Sequence, residues 1–223
     1  MSLIKLNNIC VEYGRKNKQR ALNDVSMEIE DKEFVAVMGK SGCGKTTLLN
    51  VLGTLLKPQS GEYIFDGNPV LAKNSNELAE FRNENMGFVV QHFALVPDMS
   101  IYDNVALPLT YRKMSKSDVK NRVMAVLEEL EIYDQKNKYP GELSGGQCQR
   151  AAIARAIVTE PRLILADEPT GALDGENGNM VMDILQKLNG KGITIIMVTH
   201  DKELAQCASR IIRMQDGYIY RNC

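Results

Sequence analysis

Apolar and polar positions along the 223-residue chain follow two periods. The opening third is strand-like, with β-type patterning over Leu3 to Tyr13, Val25 to Glu30, Phe34 to Met38 and Gly61 to Phe65. Phe34 to Met38 is apolar without interruption, as a central strand covered on both faces requires. It leads into a glycine-rich turn and then a predicted helix from Thr46 to Leu56. The middle is helical: Ser115 to Asp118 supplies capping residues, and Val119, Val123, Val126, Leu127 and Leu130 follow at helical spacing. The last third alternates. Leu163 to Ala166 reads as a buried strand, Val181, Ile184, Leu185 and Leu188 as the apolar stripe of a helix, and Ile193 to Val198 as another buried strand. Asp216-Gly217, set between Ile211 to Met214 and Tyr218 to Tyr220, is a hairpin signal. Strands alternating with helices predict an α/β domain with a largely parallel sheet. The helical stretch from about Phe93 to Val158 is expected as a lobe inserted between its halves.

Composition narrows the class. The chain carries 27 basic and 28 acidic residues, a formal net charge of -1, and 44% hydrophobic residues. That excludes a disordered tail and a strongly basic nucleic-acid binder. No run of about 18 apolar residues exists, so no membrane span is expected, and the N-terminus does not resemble a signal peptide. Five scattered cysteines (Cys10, Cys43, Cys148, Cys207, Cys223) form no C-x-x-C pair, so neither a disulfide frame nor a zinc site is indicated. A reduced, cytosolic protein is expected, reaching a membrane only through a partner.

Three motifs carry chemistry. Gly39-Lys40-Ser41-Gly42-Cys43-Gly44-Lys45-Thr46-Thr47 fits G-x-x-x-x-G-K-S/T between an apolar strand and a helix. Small residues let the backbone curl so that its N–H groups and the helix N-terminus face an anion. Lys45 is then placed to neutralise β- and γ-phosphates, and the Thr46 hydroxyl to bind Mg²⁺. Next, Leu163 to Glu168 is an apolar strand ending in two carboxylates. A central strand delivers its last side chains to the sheet's carboxyl edge, where ligands bind in open α/β sheets. Asp167 would reach the Mg²⁺ shell and Glu168 would orient or deprotonate a water attacking the γ-phosphate. Taken alone, the pair fits a solvated acidic turn equally well. Third, Leu143-Ser144-Gly145-Gly146-Gln147 opens a helical run and reads either as a second anion site or as a glycine-rich cap with no ligand.

The phosphate loop, LSGGQ, LILADEPTGALD and Thr199-His200-Asp201 occur in an order that resembles the ABC-transporter ATPases over essentially the whole chain. The resemblance implies a P-loop NTPase core with a mostly parallel sheet, an N-terminal antiparallel β subdomain and an inserted helical subdomain. The expected division is a nucleotide-binding core of about 1–92 and 159–223 and a helical subdomain of about 93–158. It also implies ATP and Mg²⁺ as cofactors, and two copies packed head to tail, with Ser144, Gly145, Gly146 and Gln147 clamping the ATP of the other copy. Gln91 looks like the glutamine that touches Mg²⁺ and the attacking water, in a segment that senses the membrane partner. His200 looks like the switch histidine on the γ-phosphate, Asp174 like the loop that crosses the dimer interface, and Tyr13 like the aromatic stacked on adenine.

Within the family, DEPTGALD, Asn85 to Gln91 and Asp103 to Pro108 resemble the macrolide-exporter, lipoprotein-releasing and antimicrobial-peptide resistance ATPases. The implied function is ATP hydrolysis driving transmembrane permease subunits on a separate chain, for export or extraction of a peptide, lipoprotein or drug-like substrate. The implied place is the inner face of the cell membrane. The alternative is a mechanotransmission ATPase of the cell-division type, which moves no substrate. A nucleic-acid-directed ABC ATPase is disfavoured, because the chain has no room for a coiled-coil or hinge insertion. Two positions depart from the family pattern: Cys43 stands where serine is common, and Cys148 where glutamine is common. Cys43 reads either as a reactive thiol that ATP would protect, since a helix N-terminus and Lys45 lie close to it in sequence, or as a small filler.

Overall fold

The computed structural model describes residues 2–14 and 19–220; Cys223 lies outside them. The chain runs through β1 (Ser2–Tyr13), β2 (Gln19–Glu30), β3 (Phe34–Met38), α1 (Lys45–Leu52), β4 (Ser60–Phe65), β5 (Asn68–Pro69), α2 (Ser75–Asn85) and β6 (Met86–Val90). Then follow α3 (Ile101–Ala106), which tightens into a 3-10 turn, α4 (Lys116–Glu129) and α5 (Gly145–Ile157). The last part holds β7 (Leu163–Asp167), α6 (Gly175–Gly190), β8 (Thr194–Thr199), α7 (Lys202–Ala205), β9 (Arg210–Gln215) and β10 (Tyr218–Tyr220).

Two sheets organise these elements. One has the order β2-β1-β4-β5 and is antiparallel throughout. The other has the order β10-β9-β3-β8-β7-β6, parallel except for the final β9–β10 hairpin. β2 buries Leu22, Val25, Met27 and Ile29 and exposes residues between them, the pattern of a sheet with one covered face. β3, β7 and β8 are buried almost without a break, as strands covered on both faces must be. Asp216 and Gly217 both have positive φ, 49° and 81°, and close the predicted hairpin.

Three elements differ from the sequence expectation. The helix after the phosphate loop stops at Leu52 rather than Leu56. Its end is fixed by Gly53 and by Thr54 at φ 54°, after which the amides of Leu55 and Leu56 turn back to the Asn50 carbonyl. α2 sets only Leu78 and Phe81 against the core, both partly buried, and buries no residue fully. A reciprocal cap between Asn74 and Glu77 starts it instead. β6 is a five-residue strand with a glycine in its interior, which hides it from propensity.

The parallel register positions the site. Val90 pairs with Asp167, Asp167 with Val198, and Met38 with Thr199. The next residues along the chain, Gln91, Glu168, His200 and Gly39, therefore leave the sheet at one edge. Among the described residues no helix is long and apolar enough to cross a membrane.

Candidate functional site

The loop Gly39–Gly44 joins β3 to α1, and Gly44 caps the helix at φ 106°, a conformation that side chains rarely adopt. Lys45 is buried, and its ammonium donates to the carbonyls of Gly39 (2.8 Å) and Lys40 (3.0 Å). The Thr46 hydroxyl donates to Asp167 Oδ2 at 3.3 Å. This ties the start of α1 to the end of β7. Burial pushes the Asp167 carboxyl above the usual carboxylate range; the Thr46 bond opposes that, Glu168 adds to it and Lys45 opposes it.

An open cleft of about 860 Å³ lies over this edge. Its wall includes Tyr13, Ser41, Gly42, Gly44, Lys45, Thr46, Thr47, Gln91, Asp167, Glu168 and His200. Tyr13 is 45% exposed, with its hydroxyl 3.4 Å from Thr47 Oγ1. Glu168 holds a left-handed backbone, φ 46°, with its amide bonded to the Val198 carbonyl. Gln91 lies against Gly171, where a Cβ would come within 2.8 Å of its amide nitrogen. The cleft combines backbone amides, the Lys45 ammonium, hydroxyls that include Thr46, the carboxylates of Asp167 and Glu168 and the His200 imidazole, a set suited to holding and cleaving a polyphosphate.

The remaining sequence candidates gather elsewhere. Ser144 and Gln147 form a reciprocal cap on α5. Asp174 caps α6 through Asn177, whose side chain lies against Gly146. Ser144, Gly145, Gly146, Gln147 and Asp174 thus form a second cluster and do not line the cleft of their own chain. Asn177 escaped sequence reasoning; the Asp174-x-x-Asn177 capping spacing was its only signal. Gln19 and Arg20 also line the cleft, with no motif to announce them.

Cys43 follows the second of its two readings. Its side chain is only 6% exposed and packs in the apolar core with Met214, away from the cleft wall. The loop turns this side chain inward while the neighbouring residues face the cleft, so Cys43 acts as a small core filler. Cys148 is also buried, with its thiol bonded to the Pro140 carbonyl, and burial pushes that thiol's pKa up.

Comparison with known proteins agrees with this geometry. The family model described as ABC transporter matches residues 22–171. An ABC transporter ATP-binding protein of Methanocaldococcus jannaschii is 46% identical over 218 residues, covering 97% of each chain. The bacitracin export ATP-binding protein BceA of Halalkalibacterium halodurans is 43% identical, over 99% of this chain and 88% of the relative. The macrolide export ATP-binding/permease protein MacB of Campylobacter jejuni is 46% identical over 97% of this chain, which spans 33% of that longer protein. A bacterial ABC transporter cassette solved as a dimer superposes with a TM-score of 0.90 at 41% identity, over 98% of this chain and 97% of that one. A dimeric cassette in a post-hydrolysis state, bound to ADP and phosphate, also superposes at 0.90, with 40% identity and the same coverage. The chain belongs to the ABC transporter family as one of its ATP-binding ATPase cassettes.

Proposed function

We propose that this chain is the ATP-hydrolysing subunit of an exporter, working as a head-to-tail pair of cassettes on separate membrane permease subunits. The observation that carries the reading is the separation of two clusters. The cleft holds the phosphate loop, Asp167, Glu168, Gln91 and His200, while Ser144 to Gln147 and Asp174 lie outside it. A second copy facing the first supplies Ser144, Gly145, Gly146 and Gln147 to the opposite ATP, with Asp174 at the interface. The dimeric relatives support that arrangement.

In each site Lys45 and the loop amides bind the β- and γ-phosphates, and Tyr13 stacks on the adenine. Glu168 takes a proton from the attacking water as its oxygen bonds to the γ-phosphorus, giving ADP and inorganic phosphate. His200 contacts the γ-phosphate, and Gln91 orients the water. The donors near Thr46 fit Mg²⁺: a hydroxyl beside the Asp167 carboxylate, with the Gln91 side chain on the same wall. Among the described residues no group of three or more His, Cys, Asp or Glu is arranged to hold a metal ion by itself. The remaining ligands would be phosphate and water oxygens, as Mg²⁺ prefers. When bound, the ion neutralises phosphate charge.

A groove of about 1180 Å³ lined by Arg82, Met86, Phe88, Pro108, Arg112 and Arg155 is the proposed seat of the permease's cytoplasmic segment. It borders β6, which ends beside Gln91, and α5, which begins at Ser144. An occupant would therefore act on both clusters. We assign about 93–158 as the helical subdomain that moves against a core of about 1–92 and 159–223. The cassette would work on the cytoplasmic side, exporting or extracting a peptide, lipoprotein or drug-like substrate, as the export relatives BceA and MacB suggest.

The test is co-purification of a permease with the chain, followed by ATP-driven transport in vesicles and comparison with Lys45→Ala. The reading expects ATP hydrolysis and transport, both lost with nucleotide affinity in Lys45→Ala. Hydrolysis without any transported cargo would favour mechanotransmission, and absence of hydrolysis in the complex would defeat the proposal.

A further inference from the structure

Gln149 lies on α5 and is fully buried. Its amide nitrogen donates to the Pro169 carbonyl at 2.5 Å, while its Oε1 has no hydrogen-bond partner among the described residues. The residues around it on α5, Ala151 to Ile153, are apolar and buried. A half-satisfied amide in such a place disfavours folding relative to an apolar side chain of similar size. The position therefore carries a cost that packing alone does not explain.

The bond it makes explains that cost. Pro169 follows Glu168, whose backbone is left-handed at φ 46°. That conformation is unfavourable for a residue with a side chain and is restricted further by a following proline. The strained bend is pinned on both sides. Upstream, the Glu168 amide donates to the Val198 carbonyl. Downstream, Gln149 holds the Pro169 carbonyl. We infer that Gln149 is a positioning residue: from the helix that begins at Ser144, it sets the direction in which Glu168 presents its carboxylate. Gln149 is five positions along the helix from Ser144, about 7.5 Å of rise. A shift of that helix therefore reaches the Glu168 bend through a single side chain.

The inference rests on the assignment of Glu168 as the base, so Glu168→Gln is measured in parallel; full turnover in that variant would sink the assignment itself. The direct test is steady-state MgATP hydrolysis by Gln149→Met, nearly isosteric but without the donor. The expected result is a kcat lower by roughly 10- to 100-fold, KM within about twofold, and an unchanged or raised Tm. A kcat within about twofold of the parent, or a loss matched by falls in Tm and ATP affinity, would overturn the inference. Gln149→Glu guards against misfolding of the first variant. Its carboxyl can donate to Pro169 only when protonated, so its kcat relative to the parent should rise as pH falls. A flat ratio counts against a positioning role.

Discussion

Glu168 Oε1 lies 2.9 Å from His200 Nδ1, although 32 residues separate them in the chain. The parallel register of β7 and β8 makes this contact, because Asp167 pairs with Val198 and both strands end at the same height. The imidazole is largely exposed on the cleft wall, while the carboxylate is mostly covered. A base already bonded to an imidazole is held in one orientation. Glu168→Gln should lower kcat by about 10²- to 10⁴-fold and accumulate an ATP-bound dimer, read by size-exclusion chromatography with light scattering. His200→Ala should lower kcat by about 10²-fold. Substantial turnover in pure Glu168→Gln would remove Glu168 from the base role.

The inward-facing Cys43 thiol leads to an order of labelling. Cys10 and Cys207 are partly exposed, whereas Cys43 and Cys148 are buried. A maleimide should therefore modify Cys10 and Cys207 of the folded chain before Cys43, as mass spectrometry of timed samples would read. Cys43→Ser should leave sensitivity to the reagent unchanged. Fast labelling of Cys43 that ATP prevents would place its sulfur at the nucleotide instead.

Arg155, on α5, donates to the carbonyls of Ala94 (2.5 Å) and Phe93 (2.9 Å). Both acceptors are non-glycine residues with positive φ, 49° and 60°, just beyond Gln91. The guanidinium thus ties a strained turn to α5, and burial lowers its pKa. Arg155→Met should destabilise the fold by about 2 kcal/mol in urea unfolding, since two carbonyls lose a charged donor. An unchanged midpoint would mean that solvent serves those carbonyls equally well.

Asp174 accepts from the Asn177 amide and side chain, and these bonds hold its carboxyl below the usual carboxylate range. The folded pKa is depressed, so the ionised cap stabilises α6 above the ordinary value of 3.8. That contribution disappears as pH falls through the depressed value. Hydrogen-exchange protection of the first turn of α6 should therefore decline below about pH 4. The decline should be absent in Asp174→Asn, which caps without titrating there. The same acid response in both proteins would exclude this carboxylate as its source.

Much of the molecule was legible in the chain because its signals are local. Phe34 to Thr47 encode a strand, a turn and a helix start in one continuous stretch, and the unbroken apolar runs of β3, β7 and β8 mark central strands by themselves. Asp216-Gly217 determined its hairpin for the same reason, since two positive φ values suit those residue types. α2 and β6 were not legible: one sets only the partly buried Leu78 and Phe81 against the core, and the other is short with an interior glycine, so tertiary packing decides both. Tertiary structure alone decided the direction of Cys43, because a loop's side-chain orientations depend on what packs beneath it. The partners of Gln149 and Arg155 lie 20 to 62 residues away, beyond any sequence period. The sequence by itself determined the phosphate-loop, carboxylate, glutamine and histidine groups of the cleft, though not Gln19 and Arg20. The register of four parallel strands decided that they meet, because only paired strand ends bring Gln91, Asp167, Glu168 and His200 to one edge.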